Sequence, residues 1–208
     1  MSKRKRSSGG VVRVNWSALF HRMVDRPATN SSSQALMWGL AWLIIGAIVG
    51  WRFDLVPTSM LSYTWGSARL IWHTAFGLTM WVSSTVVFFA GAAMLNRRVS
   101  IAELFGRMLF AHWPVTLAML PGILTDKIAY STFMRNPGVA FEQSPMYASL
   151  LAVIMTIILV WYLYWGYCAF RRSVSRSGVV TFVVYVIAFV LSVYLSRVTL
   201  GALYAGIW

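Results

Sequence analysis

The stretch that decides the fold is Leu95 to Gly122, LNRRVSIAELFGRMLFAHWPVTLAMLPG, which joins two apolar runs yet is neither apolar throughout nor a simple loop. Ser100 followed by Glu103 is the spacing of a capping box, with Val99 and Leu104 placed as a hydrophobic staple, so a helix is expected to start at Ile101. Ile101, Leu104, Phe105, Met108 and Leu109 share one face; Glu103 and Arg107, four apart, share another and can pair. Pro114 removes a backbone hydrogen bond and should kink this helix, freeing the Phe110 carbonyl, and Pro121-Gly122 should end it. The pattern suits an interfacial helix that bends into a membrane.

The surroundings are oily enough for that. The 208 residues are 59% hydrophobic, 15% aromatic and only 11% charged, with a mean hydropathy of +0.67. Soluble chains average about 25% charged residues. Five apolar stretches read as transmembrane helices: Leu36–Trp51, Leu70–Leu95, Met108–Leu124, Met146–Phe170 and Val179–Leu195. A bilayer needs roughly 20 such residues as a helix, and barrel strands would show shorter, alternating runs. Met108–Leu124 is the weakest, because His112, Pro114 and Pro121 interrupt it. The expected fold class is therefore all-α, a polytopic five-span helical bundle over residues 35–208, preceded by a basic tail over residues 1–34.

Orientation follows from the basic residues. Lys3, Arg4, Lys5, Arg6, Arg13, Arg22, Arg26, Arg97, Arg98, Arg107, Arg171, Arg172 and Arg176 fall on one side of this five-span scheme. Arg52, Arg69, Lys127, Arg135 and Arg197 fall on the other. The positive-inside rule places the amino terminus in the cytoplasm and the carboxyl terminus outside, as in a bacterial inner membrane. The net charge of +13 then serves orientation and contact with anionic headgroups rather than nucleic acid, for which no binding fold is visible. The distance from Met1 to the first span argues against a cleaved signal. In the tail, Val12, Trp16, Leu19, Phe20 and Met23 recur at helical spacing, as expected of an amphipathic helix lying on the inner leaflet or against the cytoplasmic end of the bundle.

A resemblance enters at this point. The long second span, the short basic loop and SIAELFGRMLFAHWP, with Ser100, Phe105, Ala111 and Pro114 in matching places, resemble the central signature of the YIP (Ypt/Rab-interacting protein, Yip-one type) domain family. Asn96-Arg97-Arg98 replaces that family's paired glycines, and His112-Trp113 stand where small or aromatic residues are usual. The resemblance implies a five-span membrane protein of the bacterial kind, a non-enzymatic scaffold or accessory factor in membrane organisation or trafficking. Its partners would be lipids, another protein or a second copy.

Catalytic sets are missing from the sequence. The five acidic residues, Asp25, Asp54, Glu103, Asp126 and Glu142, lie outside the middle of the spans, so no carboxylate relay is visible. No metalloprotease helix or phosphate loop occurs, which speaks against a lipid-modifying or redox enzyme. No cofactor or metal is expected. His73, roughly 5 Å inside the outer end of its span, and His112, entering about 16 Å from the opposite side, do not sit at one depth as haem ligands would. Cys168 is the single cysteine and reads as a small packing residue. Gly46 and Gly50 form a GxxxG, with Gly39 a heptad earlier, for close contact in the bundle or self-association. Thr125–Pro145 reads as a solvated outer connector, and Val198–Trp208 as a segment along the outer headgroups, unless the last helix continues past a snorkelling Arg197. The competing function is a small transporter or channel subunit, with a polar cavity lined by His112, Thr116 and Ser83 or Ser84.

Overall fold

The computed structural model describes residues 31–205, so the amphipathic segment of the tail and residues 206–208 lie outside the described residues. Along the chain run α1 (Ser32–Phe53), β1 (Leu55–Ser59), β2 (Ser62–Trp65), α2 (Leu70–Leu95), α3 (Ile101–Ala111), α4 (Trp113–Thr116) and α5 (Met119–Leu124). They are followed by α6 (Lys127–Arg135), α7 (Pro137–Gln143), α8 (Pro145–Val174) and α9 (Val179–Ala205). Four helices, α1, α2, α8 and α9, are long and apolar enough to cross a membrane.

The segment expected as a third span, Met108–Leu124, is not a continuous helix. It is divided among the end of α3, one turn of α4 and the short α5. The break falls at Pro114, whose ring cannot accommodate a continuing α-helix; the His112 N–H turns back to Leu109 and Phe110. Bonds three residues apart, Leu117 to Pro114 (3.0 Å) and Ala118 to Val115 (2.9 Å), tighten the chain beyond it. Pro121, expected as a stop, instead sits in the first turn of α5, where its missing N–H goes unneeded, and the helix continues to Leu124.

Two ends of the bundle are defined by contacts. At one end the Asn96 side-chain amide donates to the Val174 carbonyl at 3.1 Å, tying α2 to α8. At the other, Tyr204 on α9 donates to the Pro57 carbonyl and Arg135 donates to the Thr64 hydroxyl at 3.1 and 3.0 Å. Between these ends the broken segment runs parallel to α1. A Cβ on Gly106 would lie 3.0 Å from Leu36, one on Gly39 would lie 2.7 Å from Leu109, Trp42 stacks on Trp113, and Gly46 faces Thr116. The α3 helix packs against its neighbours: from Gly106 to Ala111 every residue is buried. Ser100 caps it by accepting from the Glu103 N–H at 3.4 Å, while the Glu103 carboxylate pairs with Arg107 at 2.9 Å rather than closing the reciprocal half of the box.

The sheet is a departure from the all-α expectation. Strands β1 and β2 pair antiparallel, with Leu55 opposite Trp65 and Pro57 opposite Tyr63, and a bulge near Thr58. Asp54, at φ 55°, turns the chain out of α1, and the Gly66 N–H bonds the Asp54 carbonyl at 2.9 Å to close the hairpin's base. The tip dips into the bundle: the Met60 N–H donates to Ser196 at 3.0 Å, and its sulfur takes Tyr162 at 3.5 Å and Ser192 at 3.7 Å. Ser192 lies 13 residues before the end of α9, about 20 Å along its axis, so the tip reaches about half the helix length. Hydroxyls satisfy the turn from within: Thr58 with Ser62 at 2.8 Å, and the Leu61 N–H to Ser59 at 3.2 Å. Irregular backbone at such depth needs this shielding by protein. Ser196→Ala orphans the buried Met60 N–H and is expected to destabilise the fold by about 1–3 kcal/mol, read as a lower unfolding temperature in mild detergent.

The same packing corrects two further expectations. Thr125–Pro145, expected as a solvated connector, is largely exposed but is organised as a pair of helices: Asp126 caps α6 through the Ala129 N–H at 2.8 Å, Asn136 caps α7, and Tyr130, Phe133 and Ala140 are buried. The Tyr130 hydroxyl donates to the Ala118 carbonyl at 2.9 Å while its ring lies on Gly122. The last helix continues past an exposed Arg197 to Ala205, because Leu200 is buried and Tyr204 packs on Phe76 at 4.5 Å instead of anchoring in headgroups.

Candidate functional site

Where the helical run of residues 101–124 breaks, the side chains that would fill a regular helix position are splayed. His112 follows the last turn of α3 and is 4% exposed. Its ring meets Trp81 edge-on at 4.4 Å and Tyr162 edge-on at 5.1 Å, and neither ring nitrogen has a hydrogen-bond partner. Trp113 turns the other way, stacking on Trp42 at 5.0 Å and meeting Trp161 and Trp165 edge-on. Between α1, α2 and this break lies a cavity of about 40 Å³. That is room for about three water molecules.

The hairpin contributes Pro57 and Tyr63 to the cavity wall, α1 and α2 contribute Gly46 and Gly77, and α4 contributes Thr116. His73, 3% exposed, also lines it. The His73 Nδ1 lies 3.3 Å from the Arg69 carbonyl oxygen, and its Nε2 has no partner. The two histidines, placed at different depths by residue counting, thus share one cavity, because the break and the hairpin bring them together. Its volume is far too small for a macrocycle. Among the described residues no group of three or more His, Cys, Asp or Glu gathers as a metal site.

Of the residues singled out from sequence, His112 and Thr116 line the cavity and Pro114 makes the break that forms it. Ser83 and Ser84 do not line it; both hydroxyls bond the Met80 carbonyl of their own helix, at 3.0 and 2.7 Å. Ser100, Glu103 and Arg107 lie on α3 before the break, where Arg107 is 6% exposed and its Nε and Nη1 have no partner. Gly46 is in the wall, whereas Gly50 lies under the Leu55 carbonyl and the His73 ring. Sequence reasoning weighed His73 only as a haem ligand and missed Tyr63 and Pro57. The available signal was Ser192 and Ser196, polar residues four apart in a mostly apolar helix, which mark where the hairpin docks.

Known proteins add one likeness. The inner membrane amino-acid ABC transporter permease protein YhdY of Escherichia coli (strain K12) is 26% identical over 160 residues, covering 73% of this chain and 40% of that protein. The chain therefore spans less than half the length of that relative. No family model and no solved structure matches. The four long apolar helices and this likeness agree on the broad class. The chain is an integral membrane protein.

Proposed function

We propose that this chain is a subunit of a small-solute transporter or channel in a bacterial inner membrane. It crosses five times, with its amino end cytoplasmic and its carboxyl end outside. The observation that carries the reading is the gathering of irregular backbone, the break at His112–Pro114 and the re-entrant hairpin, around one cavity with polar side chains in its wall. Lipid does not tolerate such backbone, and membrane proteins keep it where it is buried in protein or lines a water-filled cavity, as in the broken helices of transporters. The likeness to part of an amino-acid permease supports the same class. The chain acts without covalent chemistry, and any energy input comes from a partner. Basic residues at the Asn96–Val174 end, among them Arg97, Arg98, Arg171 and Arg172, hold it against anionic headgroups.

A YIP-like scaffold is the second reading, favoured by the passage of residues 101–124 from one end of the bundle to the other. The two part company in reconstituted vesicles. On the transporter reading, vesicles containing the chain re-swell in gradients of small solutes several-fold faster than protein-free vesicles, and Pro114→Ala, which straightens the break, slows them. Rates equal to protein-free vesicles for every solute, together with a co-purifying protein partner, would favour the scaffold.

A further inference from the structure

On the far side of the break from His112, the bundle is open to its surroundings. A crevice of about 210 Å³ runs between α8, the broken segment, the α6–α7 pair and the hairpin turn. Val115 and Ala118 of the broken segment, Leu61 of the turn, Met134 of α6, and Met155 and Leu159 of α8 line it, and no lining side chain carries a nitrogen or an oxygen. Met155 and Leu159 stand about 15–21 Å from the start of α8, itself about 45 Å long, so the crevice lies at hydrocarbon depth. It is continuous with the face that α8 turns to lipid: Val153 and Ile157, either side of Met155, are 57% and 60% exposed. Water is a poor filler, because a buried water takes about two to four polar partners and this wall offers no side chain for that. Left empty, the lining would forfeit dispersion contacts along its whole length.

We infer that the crevice seats one acyl chain of a phospholipid, drawn from the leaflet at the Arg135–Thr64 end, which completes the packing around the break. The chain is the right chemistry for a wall without polar side chains, and the bilayer supplies it at that depth. Charge at the same end suits the rest of the lipid. Arg135, next in sequence to Met134, is exposed and holds the Thr64 hydroxyl through Nε and Nη2, which leaves Nη1 for the phosphate. The site is independent of the transporter reading: a seated lipid would serve a channel subunit and a scaffold alike.

The test is photolabelling of the full chain in nanodiscs of phosphatidylethanolamine and phosphatidylglycerol, a fraction of the lipids carrying a diazirine midway along one acyl chain, with adducts located by mass spectrometry of peptides. Exposure alone would favour Val153 and Ile157 over the half-buried Met134 and Met155. A seated chain reverses that order, because it stays beside the crevice while lipids on the open face exchange: adducts on Met134 and Met155 are expected to exceed those on Val153 and Ile157 several-fold. Met155→Trp fills the crevice from its lipid side, and is expected to bring labelling of Met134 down to the level of Val153 while Val153 and Ile157 keep theirs. Should that variant fail to fold, the wild-type ratio decides alone. Adducts that follow exposure, or labelling of Met134 unchanged in Met155→Trp, would overturn the inference. So would dimers in mild detergent that carry no phospholipid, since a second copy would then cover the crevice. Solute flux with adducts that follow exposure would overturn the lipid site and leave the transporter reading standing; a seated chain without flux of any solute would do the opposite.

Discussion

Gly39→Ala lowers the unfolding temperature of the purified protein more than an alanine at Gly46, despite their shared helix. A Cβ at residue 39 would lie 2.7 Å from Leu109 Cγ and 2.9 Å from the Phe110 backbone nitrogen, and the backbone cannot swing aside as a side chain can. The reciprocal contact, Gly106 against the backbone of Leu36 at 3.0 Å, shows that α1 and α3 approach through glycine on both sides. Close backbone approach of this kind supplies van der Waals packing between helices in a membrane. Opening it costs about 1–3 kcal/mol for the alanine and more for valine. Gly50→Ala is equally harmful, with its Cβ 2.6 Å from the Leu55 carbonyl oxygen. Gly201→Ala meets nothing within 4 Å and, inside a helix, is expected to stabilise by about 0.5–1 kcal/mol. Thermal unfolding in mild detergent, followed by circular dichroism across the series, reads the order. Equal tolerance at Gly39 and Gly46 would refute the close α1–α3 contact, and tolerance at Gly50 the contact with the hairpin.

This ordering also shows what the sequence reveals. Gly46 and Gly50 form the recognisable motif, yet they serve different neighbours: Gly46 faces Thr116 across the cavity, and Gly50 faces the hairpin. The closest α1–α3 contact runs through Gly39 and Gly106, which no short motif links. The four long helices were legible because each apolar run exceeds or nearly matches a bilayer's thickness, a property of local composition. The Ser100 cap was legible for the same local reason. The hairpin was not, since Leu55–Trp65 contains Pro57 and five hydroxyl residues and reads as a polar loop. It is buried only because Ser196, on the other side of the sequence, accepts from Met60. His73 was likewise hidden: its position near a helix end gave its depth but not the cavity, which exists only once the break and the hairpin meet. The continuation of α9 past Arg197 has the same origin, because Leu200 and Tyr204 find partners in the fold that composition cannot announce.

The largest effect is all-or-none. In a Cys168→Ala background, Arg98→Cys and Asp126→Cys are expected to react with a membrane-impermeant maleimide from opposite sides: Asp126→Cys in intact bacterial cells, Arg98→Cys only after permeabilisation. The segment 101–124 follows α1 in parallel, from Gly106 beside Leu36 through Leu109 beside Gly39 to Thr116 beside Gly46. Its far end continues into α5 and α6, where Thr125 bonds the Tyr147 hydroxyl near the start of α8. Asn96, just before its near end, is fastened to Val174 where α8 finishes. Since α8 is long enough to cross a bilayer, residues tied to its two ends are expected on opposite faces. Arg97, Arg98, Arg171, Arg172 and Arg176 cluster around the Asn96–Val174 end, which the positive-inside rule assigns to the cytoplasm. Labelling of both cysteines from one face would mean that residues 101–124 enter and leave on the same side, leaving four crossings. The contacts that hold Trp113 on Trp42 would then have to break, and with them the cavity at His112.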